Sequence, residues 1–151
     1  MIEEGRSAPN FELQSDNGKT VKLSDLHGRP VVLYFYPKDD TPGCTTEACE
    51  FRDAYDVFRE RGAEVLGVSP DDVASHGKFK TKYELPFTLL ADPDHTVADN
   101  YGVWGERSYA GKKYMGINRS TFIIDREGNI ARAMIGIKPA GHAADVLEKL
   151  P

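Results

Sequence analysis

The sequence predicts an α/β domain built on a mixed central β-sheet with helices on both faces, and three observations carry that prediction. Continuous apolar runs rich in β-branched and aromatic residues, RPVVLYFYP and AEVLGVSP, have the pattern of strands covered on both sides. Segments with apolar residues at helical spacing alternate with such runs, which is the order of a layered α/β fold. Turn signals at Asp16-Asn17-Gly18 and across Arg126-Glu127-Gly128-Asn129 join neighbouring strand-like segments into hairpins, so antiparallel pairs accompany parallel ones.

Each element follows in order. FELQSDNGKTVKL forms an N-terminal β-hairpin, and Ser24 is placed to cap a short turn after it. RPVVLYFYP, bounded by Pro30 and Pro37, is the central strand. Residues 45–61 carry Ala48, Phe51, Ala54, Tyr55 and Phe58 at helical spacing and stop at Gly62, suited to the position just past a helix. AEVLGVSP is a second buried strand, DDVASHGKFKTKYEL a helix, PFTLLADP a short strand and HTVADNYGV a short helix. STFIID and IARAMIG pair as a second hairpin, and PAGHAADVLEKL closes with a helix. Tyr34, Phe35, Tyr36 and Trp104 belong to the core, whereas His27, His76, His95 and His142 fall on the surface or in loops.

With 151 residues, 40% of them hydrophobic, the chain reads as one domain, 1–151, able to bury a core without disulfides or a structural metal. Neither cysteine is therefore needed to hold the fold. A net charge of -5 with scattered basic residues argues against nucleic acid or an anionic membrane as partner. The N-terminus shows no basic and apolar leader pattern and no stretch is long enough to span a bilayer, so a cytoplasmic protein with reduced thiols is expected.

Both cysteines lie in PKDDTPGCTTEACEF, five residues apart. Thr41 is a good N-cap type and Pro42 suits the first helical position, which puts Cys44 in the first turn, where backbone N–H groups lack intrahelical partners. The positive end of a helix favours the thiolate, the reactive form of cysteine. The surrounding Asp39, Asp40, Thr41, Thr45, Thr46 and Glu47 make a polar setting, less suited to a cysteine that merely fills core space. Three chemistries compete for the pair. A metal site wants further ligands and a tighter spacing; thioredoxin-like dithiol exchange wants C-x-x-C, not the C-x-x-x-x-C present; peroxide reduction uses one thiolate that becomes a sulfenic acid and a second thiol that condenses with it.

PKDDTPGCTTEACEFRD resembles the active-site segment of the peroxiredoxins, whose motif P-x-x-x-T-x-x-C is met by Pro37, Thr41 and Cys44. TTEAC, with Cys49, resembles the bacterioferritin-comigratory or Q-type subfamily. SAPNFELQSDNG, VVLYFYP, WGERSYAGKKYMGINRSTFIID and the closing helix match in the same order, so the resemblance spans essentially the whole chain. Glu50, where a small residue is common, and Asn118 depart from the pattern. The resemblance implies a thioredoxin-like fold and a thiol peroxidase acting on hydrogen peroxide and organic hydroperoxides. Cys44 would be the peroxidatic nucleophile and Cys49 the resolving thiol of the same chain, with thioredoxin or a similar dithiol protein as reductant. It further implies that Thr41, Gly43, Cys44, Glu47 and Arg119 frame the substrate, Thr41 and Arg119 donating to it, that Glu47 orients Arg119, and that Pro37 shields the thiolate. No metal, haem or flavin is called for, and a monomer or weak homodimer is expected. A redox-switched sensor or chaperone using the same disulfide is the alternative.

If residues 44–49 are helical, standard geometry separates the two Cα atoms by about 8.6 Å and turns their side chains about 140° apart. Bridged cysteines need Cα atoms within roughly 7 Å, so a disulfide requires the start of the helix to unwind.

Overall fold

The computed structural model describes residues 2–151; Met1, the first residue of the predicted domain and of the N-terminus read for a leader, lies outside them. In chain order the described residues form β1 (Glu12–Ser15), β2 (Thr20–Lys22), a 3-10 turn (Leu23–Leu26), β3 (Val31–Phe35), α1 (Pro42–Glu60), β4 (Glu64–Ser69), α2 (Val73–Tyr83), β5 (Thr88–Ala91), α3 (Thr96–Asn100), β6 (Trp104–Tyr109), β7 (Lys112–Ile117), β8 (Ser120–Ile124), β9 (Ile130–Ile135) and α4 (His142–Lys149).

Seven strands make one sheet in the order β2-β1-β5-β4-β3-β8-β9. Strand β3 runs parallel to β4 and antiparallel to β8, so the sheet is mixed as its run of apolar residues and hairpins predicts. All five residues of β3 are buried, because both faces of the sheet are covered. Side chains alternate between faces along a strand. Val31, Leu33 and Phe35 accordingly join a cluster with Phe11, Val97, Tyr101 and Ile117, under the 3-10 turn and α3. Val32 and Tyr34 join Cys44, Ala48, Phe51, Phe58, Phe79 and Val146, under α1, α2 and α4. Helices thus lie on both faces, the longer ones on the side that carries Cys44.

The predicted helix at residues 45–61 runs over Pro42–Glu60, and Gly62 follows it with φ +74°, donating its N–H to the Arg59 carbonyl at 2.9 Å. Two expectations are corrected. Ser24 lies inside its turn rather than at the cap, and its N–H donates to Asn10 Oδ1 at 3.1 Å. His76 and His142 are buried, at 0% and 2% exposure, because each finds polar partners within the core. The residues 104–117 form an antiparallel hairpin, β6 with β7, for which the sequence reading assigned no strands; Ala110 and Gly111, both at positive φ, make its turn. Trp104 is only half-buried there, its ring stacked on His95 with centroids 3.9 Å apart. No helix among the described residues is long and apolar enough to cross a membrane.

Candidate active site

Helix α1 begins at the carboxyl end of the central strand β3, and its first turn builds the site. Thr41 is extended at the N-cap position, Pro42 follows at the first helical position, and the Thr41 carbonyl accepts the N–H of Thr45 at 2.8 Å. Cys44 is therefore the third residue of the helix, as predicted. Proline brings no N–H, and the N–H groups of Gly43 and Cys44 precede the first intrahelical donor, so the helix start offers two free backbone donors and the positive end of its dipole.

The Thr41 side chain departs from expectation. It does not cap the helix; its hydroxyl donates to the Lys38 carbonyl at 2.8 Å, closing the turn that leads into α1. With its proton so engaged, the hydroxyl presents lone pairs outward, fit to accept from a ligand O–H rather than to donate.

Cys44 is 1% exposed and packs with Tyr34, Tyr36, Ala48 and Phe51, a more apolar setting than its sequence neighbours suggest. The polar neighbours point elsewhere because a helix distributes successive residues around its axis. One charged group does reach the sulfur. Arg119, in the connection between β7 and β8, donates from Nη2 to Cys44 Sγ at 3.3 Å and from Nη1 to Glu47 Oε1 at 2.7 Å. The planar guanidinium fits this use of two donors toward two partners. Burial works against its charge, but Glu47 and Cys44 outweigh that and raise its pKa further, so it stays protonated. Gly43 lies beneath it: a Cβ there would sit 3.2 Å from Arg119 Nη2 and 3.3 Å from Pro139 Cγ.

Glu47 lies one turn beyond Cys44 on the same face, its side chain fully buried. Burial pushes its carboxyl up to about 7, against the pull of Arg119 and with a small further push from Glu50. Its Oε2 and the Tyr34 hydroxyl are the buried side-chain polar atoms without a hydrogen-bond partner among the described residues. Burial first, then the charges of Glu47, Cys44 and Asp39, raise the Tyr34 pKa well above its ordinary value, so that phenol stays neutral.

Cys49 is half-buried, and both thiols are free. The helix is continuous between them, which keeps them apart as its geometry requires. The next residue, Glu50, reaches across to α4 and accepts the Gly141 N–H at 2.9 Å. Pro37 is exposed two residues past the end of β3. Asn118 holds the β7–β8 connection through its N–H, donating to the Val103 carbonyl at 2.8 Å.

A polar cluster not foreseen in the sequence lies behind the turn at residues 38–41. Asp39, Asp71 and His76 have side-chain ligand atoms within 4.8 Å of one another. They do not await a metal, because protein donors already engage them: Tyr36, Ser75 and His76 serve Asp39, while Ser69 and the Asp39 N–H serve Asp71. The helical periodicity of α2 did place His76 three residues before buried Phe79, on the same inward face, and that was the available signal.

A cysteine in the first turn of a helix, with an arginine donating to its sulfur, is placed to attack an electrophilic oxygen, and the arginine to stabilise the charge left on the departing partner. Comparison with known proteins gives the same direction. Residues 5–133 match the family described as AhpC/TSA family. Peroxiredoxin Bcp of Bacillus subtilis is 53% identical over 149 residues, covering 99% of this chain and 95% of the relative. Peroxiredoxin Bcp of Escherichia coli is 44% identical, covering 99% and 96%. Among solved structures, a cysteine-to-serine variant of Xylella fastidiosa PrxQ superposes with a TM-score of 0.93 at 37% identity, covering 99% of this chain and 95% of that one. The bacterioferritin comigratory protein of Xanthomonas campestris, studied for its alkyl peroxide reduction activity, gives 0.90 at 37% identity, covering 97% and 96%.

Proposed function

The chain belongs to the AhpC/TSA family, in its bacterioferritin-comigratory, Q-type peroxiredoxin branch with a thioredoxin-like fold, and as such is a thiol peroxidase; from that premise we propose that Cys44 attacks the peroxide and Cys49 resolves it. The Cys44 thiolate attacks the terminal oxygen of a hydroperoxide, the O–O bond breaks, and the departing alkoxide or hydroxide takes a proton and leaves as alcohol or water. The sulfur is left as a sulfenic acid. The observation that carries this reading is the pair of bonds from Arg119 to Cys44 and Glu47 at the start of α1. Arg119 and the backbone N–H groups of Gly43 and Cys44 face the charge that builds on the oxygen, a term usually worth several kcal/mol when the donors are fixed beforehand. Thr41 accepts the O–H of the peroxide and so orients it, while Pro37 screens the sulfur from solvent.

The Cys49 thiolate then attacks the sulfenic sulfur, the S–S bond forms and hydroxide leaves, taking up a proton. Because α1 holds the thiols apart, its first turns unwind for this step; Gly43 and the few bonds of a helix start keep that opening inexpensive. An external dithiol protein such as thioredoxin restores both thiols by exchange at the exposed disulfide. The cycle suits a reducing compartment such as the cytoplasm.

The test is peroxide-dependent oxidation of thioredoxin by wild type, Cys44→Ser and Cys49→Ser. Wild type should turn over many equivalents, Cys44→Ser none, and Cys49→Ser should react once and then climb to sulfinic acid at Cys44. Multiple turnover by Cys49→Ser with thioredoxin alone would refute the resolving role, and a wild type that stops after one equivalent would point to a redox sensor instead.

A further inference from the structure

We propose that His76, as an imidazolium, is a positioning residue for this site, holding Asp39 and through it the turn at residues 38–41 from which α1 and Cys44 start. The proposal rests on the peroxidase reading above. His76 is 0% exposed, with Nδ1 2.7 Å from Asp39 Oδ2 and Nε2 2.8 Å from the Leu90 carbonyl. Both neighbours are acceptors. A neutral imidazole carries one N–H, so only the charged ring satisfies both at once.

Asp39 is gripped on every side. Its Oδ1 accepts from the Tyr36 hydroxyl at 2.6 Å, its Oδ2 also accepts from Ser75 Oγ at 2.8 Å, and its N–H donates to Asp71 Oδ2 at 2.8 Å. The next residue, Asp40, is held in the left-handed region at φ +59°, a strained conformation for a residue with a Cβ. Its carboxylate accepts from Lys82 Nζ at 2.7 Å and from the Tyr83 hydroxyl at 2.8 Å. Helix α2 thus holds two successive aspartates, and the chain leaving them reaches Thr41 and then the first turn of α1. Lys82 is exposed, and among the described residues His76 supplies the positive charge inside the buried half of this grip.

The groups that face the ring are Tyr36 from beyond β3, with its hydroxyl 3.4 Å from Nδ1, Asp39 from the turn, and Asp71 from the connection between β4 and α2; from β5 comes only the Leu90 carbonyl. Burial pulls the ring pKa down, but the hydrogen bond and charge of Asp39, the Leu90 carbonyl and Asp71 outweigh it, and the net direction is up. A raised value means that the charged grip is intact below the ordinary histidine range and is lost as pH rises through the raised value.

The experiment measures the second-order rate of Cys44 oxidation by hydrogen peroxide, by rapid quench with a thiol-alkylating reagent, from pH 5.5 to 9.5 for wild type, His76→Gln and Asp39→Asn. Both variants should be roughly 10- to 100-fold slower at neutral pH, as for a small displacement of reacting groups. Wild type should show a fall in rate on the alkaline side that His76→Gln lacks. Rates within about twofold of wild type, or the same alkaline fall in His76→Gln, would overturn the proposal. Should the variants fail to fold, the ring ¹⁵N shifts of His76 in wild type decide it: imidazolium signals at pH 7 support the grip and a neutral ring overturns it. A wild-type Cys44 inert to peroxide would overturn the functional reading and this role with it, whereas a reactive wild type with unaffected variants overturns the role of His76 alone.

Discussion

Replacing Arg119 by methionine removes the only positive charge bonded to Glu47 among the described residues and makes stability depend on pH in a way that can be worked out beforehand. The Glu47 carboxyl has an ordinary value of 4.5 and sits at about 7 in the fold. At 1.36 kcal/mol per unit, the folded state loses about 3 kcal/mol as pH rises through that window, because the native carboxyl holds its proton longer than the unfolded one. Arg119 ends the loss there by accepting the carboxylate as a partner. Without it the buried group stays protonated, and the loss continues with rising pH. At pH 9 the variant should therefore be further below wild type than at pH 6, by up to about 3 kcal/mol. Urea unfolding of the reduced proteins, followed by Trp104 fluorescence at both values, measures the difference, and adding Glu47→Gln should abolish it. A gap that does not change with pH, or that persists in the double variant, would show that Glu47 is not the group Arg119 holds ionised.

The remaining predictions use neighbouring groups. Gly43→Ala places a Cβ 3.2 Å from Arg119 Nη2, so peroxide oxidation of Cys44 should slow about tenfold while the melting temperature holds or rises, since alanine is the better helix former; unchanged kinetics would show that Arg119 yields freely. Glu50→Ala frees the Gly141 N–H, which should cost roughly 0.5–1.5 kcal/mol in urea unfolding and speed Cys44–Cys49 disulfide formation, a step that quenched-flow mass analysis reads directly. His142, lowered to about 4 chiefly by burial, should take up its proton only on unfolding, removing about 3 kcal/mol of stability as pH falls from 6.5 to 4. Glu47 works in the opposite sense over much of that range, so the acid loss should emerge most clearly in Glu47→Gln and vanish when His142→Gln is added.

Much of the fold was legible because burial writes itself into strands and helices locally. The β3 run Val31–Phe35 and the α1 stripe Ala48, Phe51 and Phe58 each announce their environment within a few residues. Both ends of α1 were legible for the same reason: Thr41 and Pro42 at its start and Gly62 past its end are punctuation whose physics is local. The β6–β7 hairpin was not, because its outer residues, including Tyr109 and Met115, stay exposed and leave no clean alternation of buried and solvated positions. Only the family resemblance tied Arg119 to Cys44, since 75 residues separate the two in the chain and the β3–β8 pairing brings them together. His76 and His142 were misplaced because a polar side chain in a core is betrayed only by its partners, and those of His76 lie on two other segments, at Asp39 and Leu90. Thr41 shows the converse limit: its cap position was readable, but its hydroxyl donates to the Lys38 carbonyl and accepts no helix N–H.

The central claim is that catalysis alternates between a helical form, in which Arg119 holds Cys44, and a form in which the start of α1 has unwound to join Cys44 to Cys49. Amide hydrogen exchange on the reduced protein and on protein oxidised with one equivalent of peroxide tests it most directly. The account predicts much faster exchange across residues 43–52 after oxidation, with β3 protected in both states. Equal protection of residues 43–52 in the two forms, with the Cys44–Cys49 disulfide verified by mass, would contradict it.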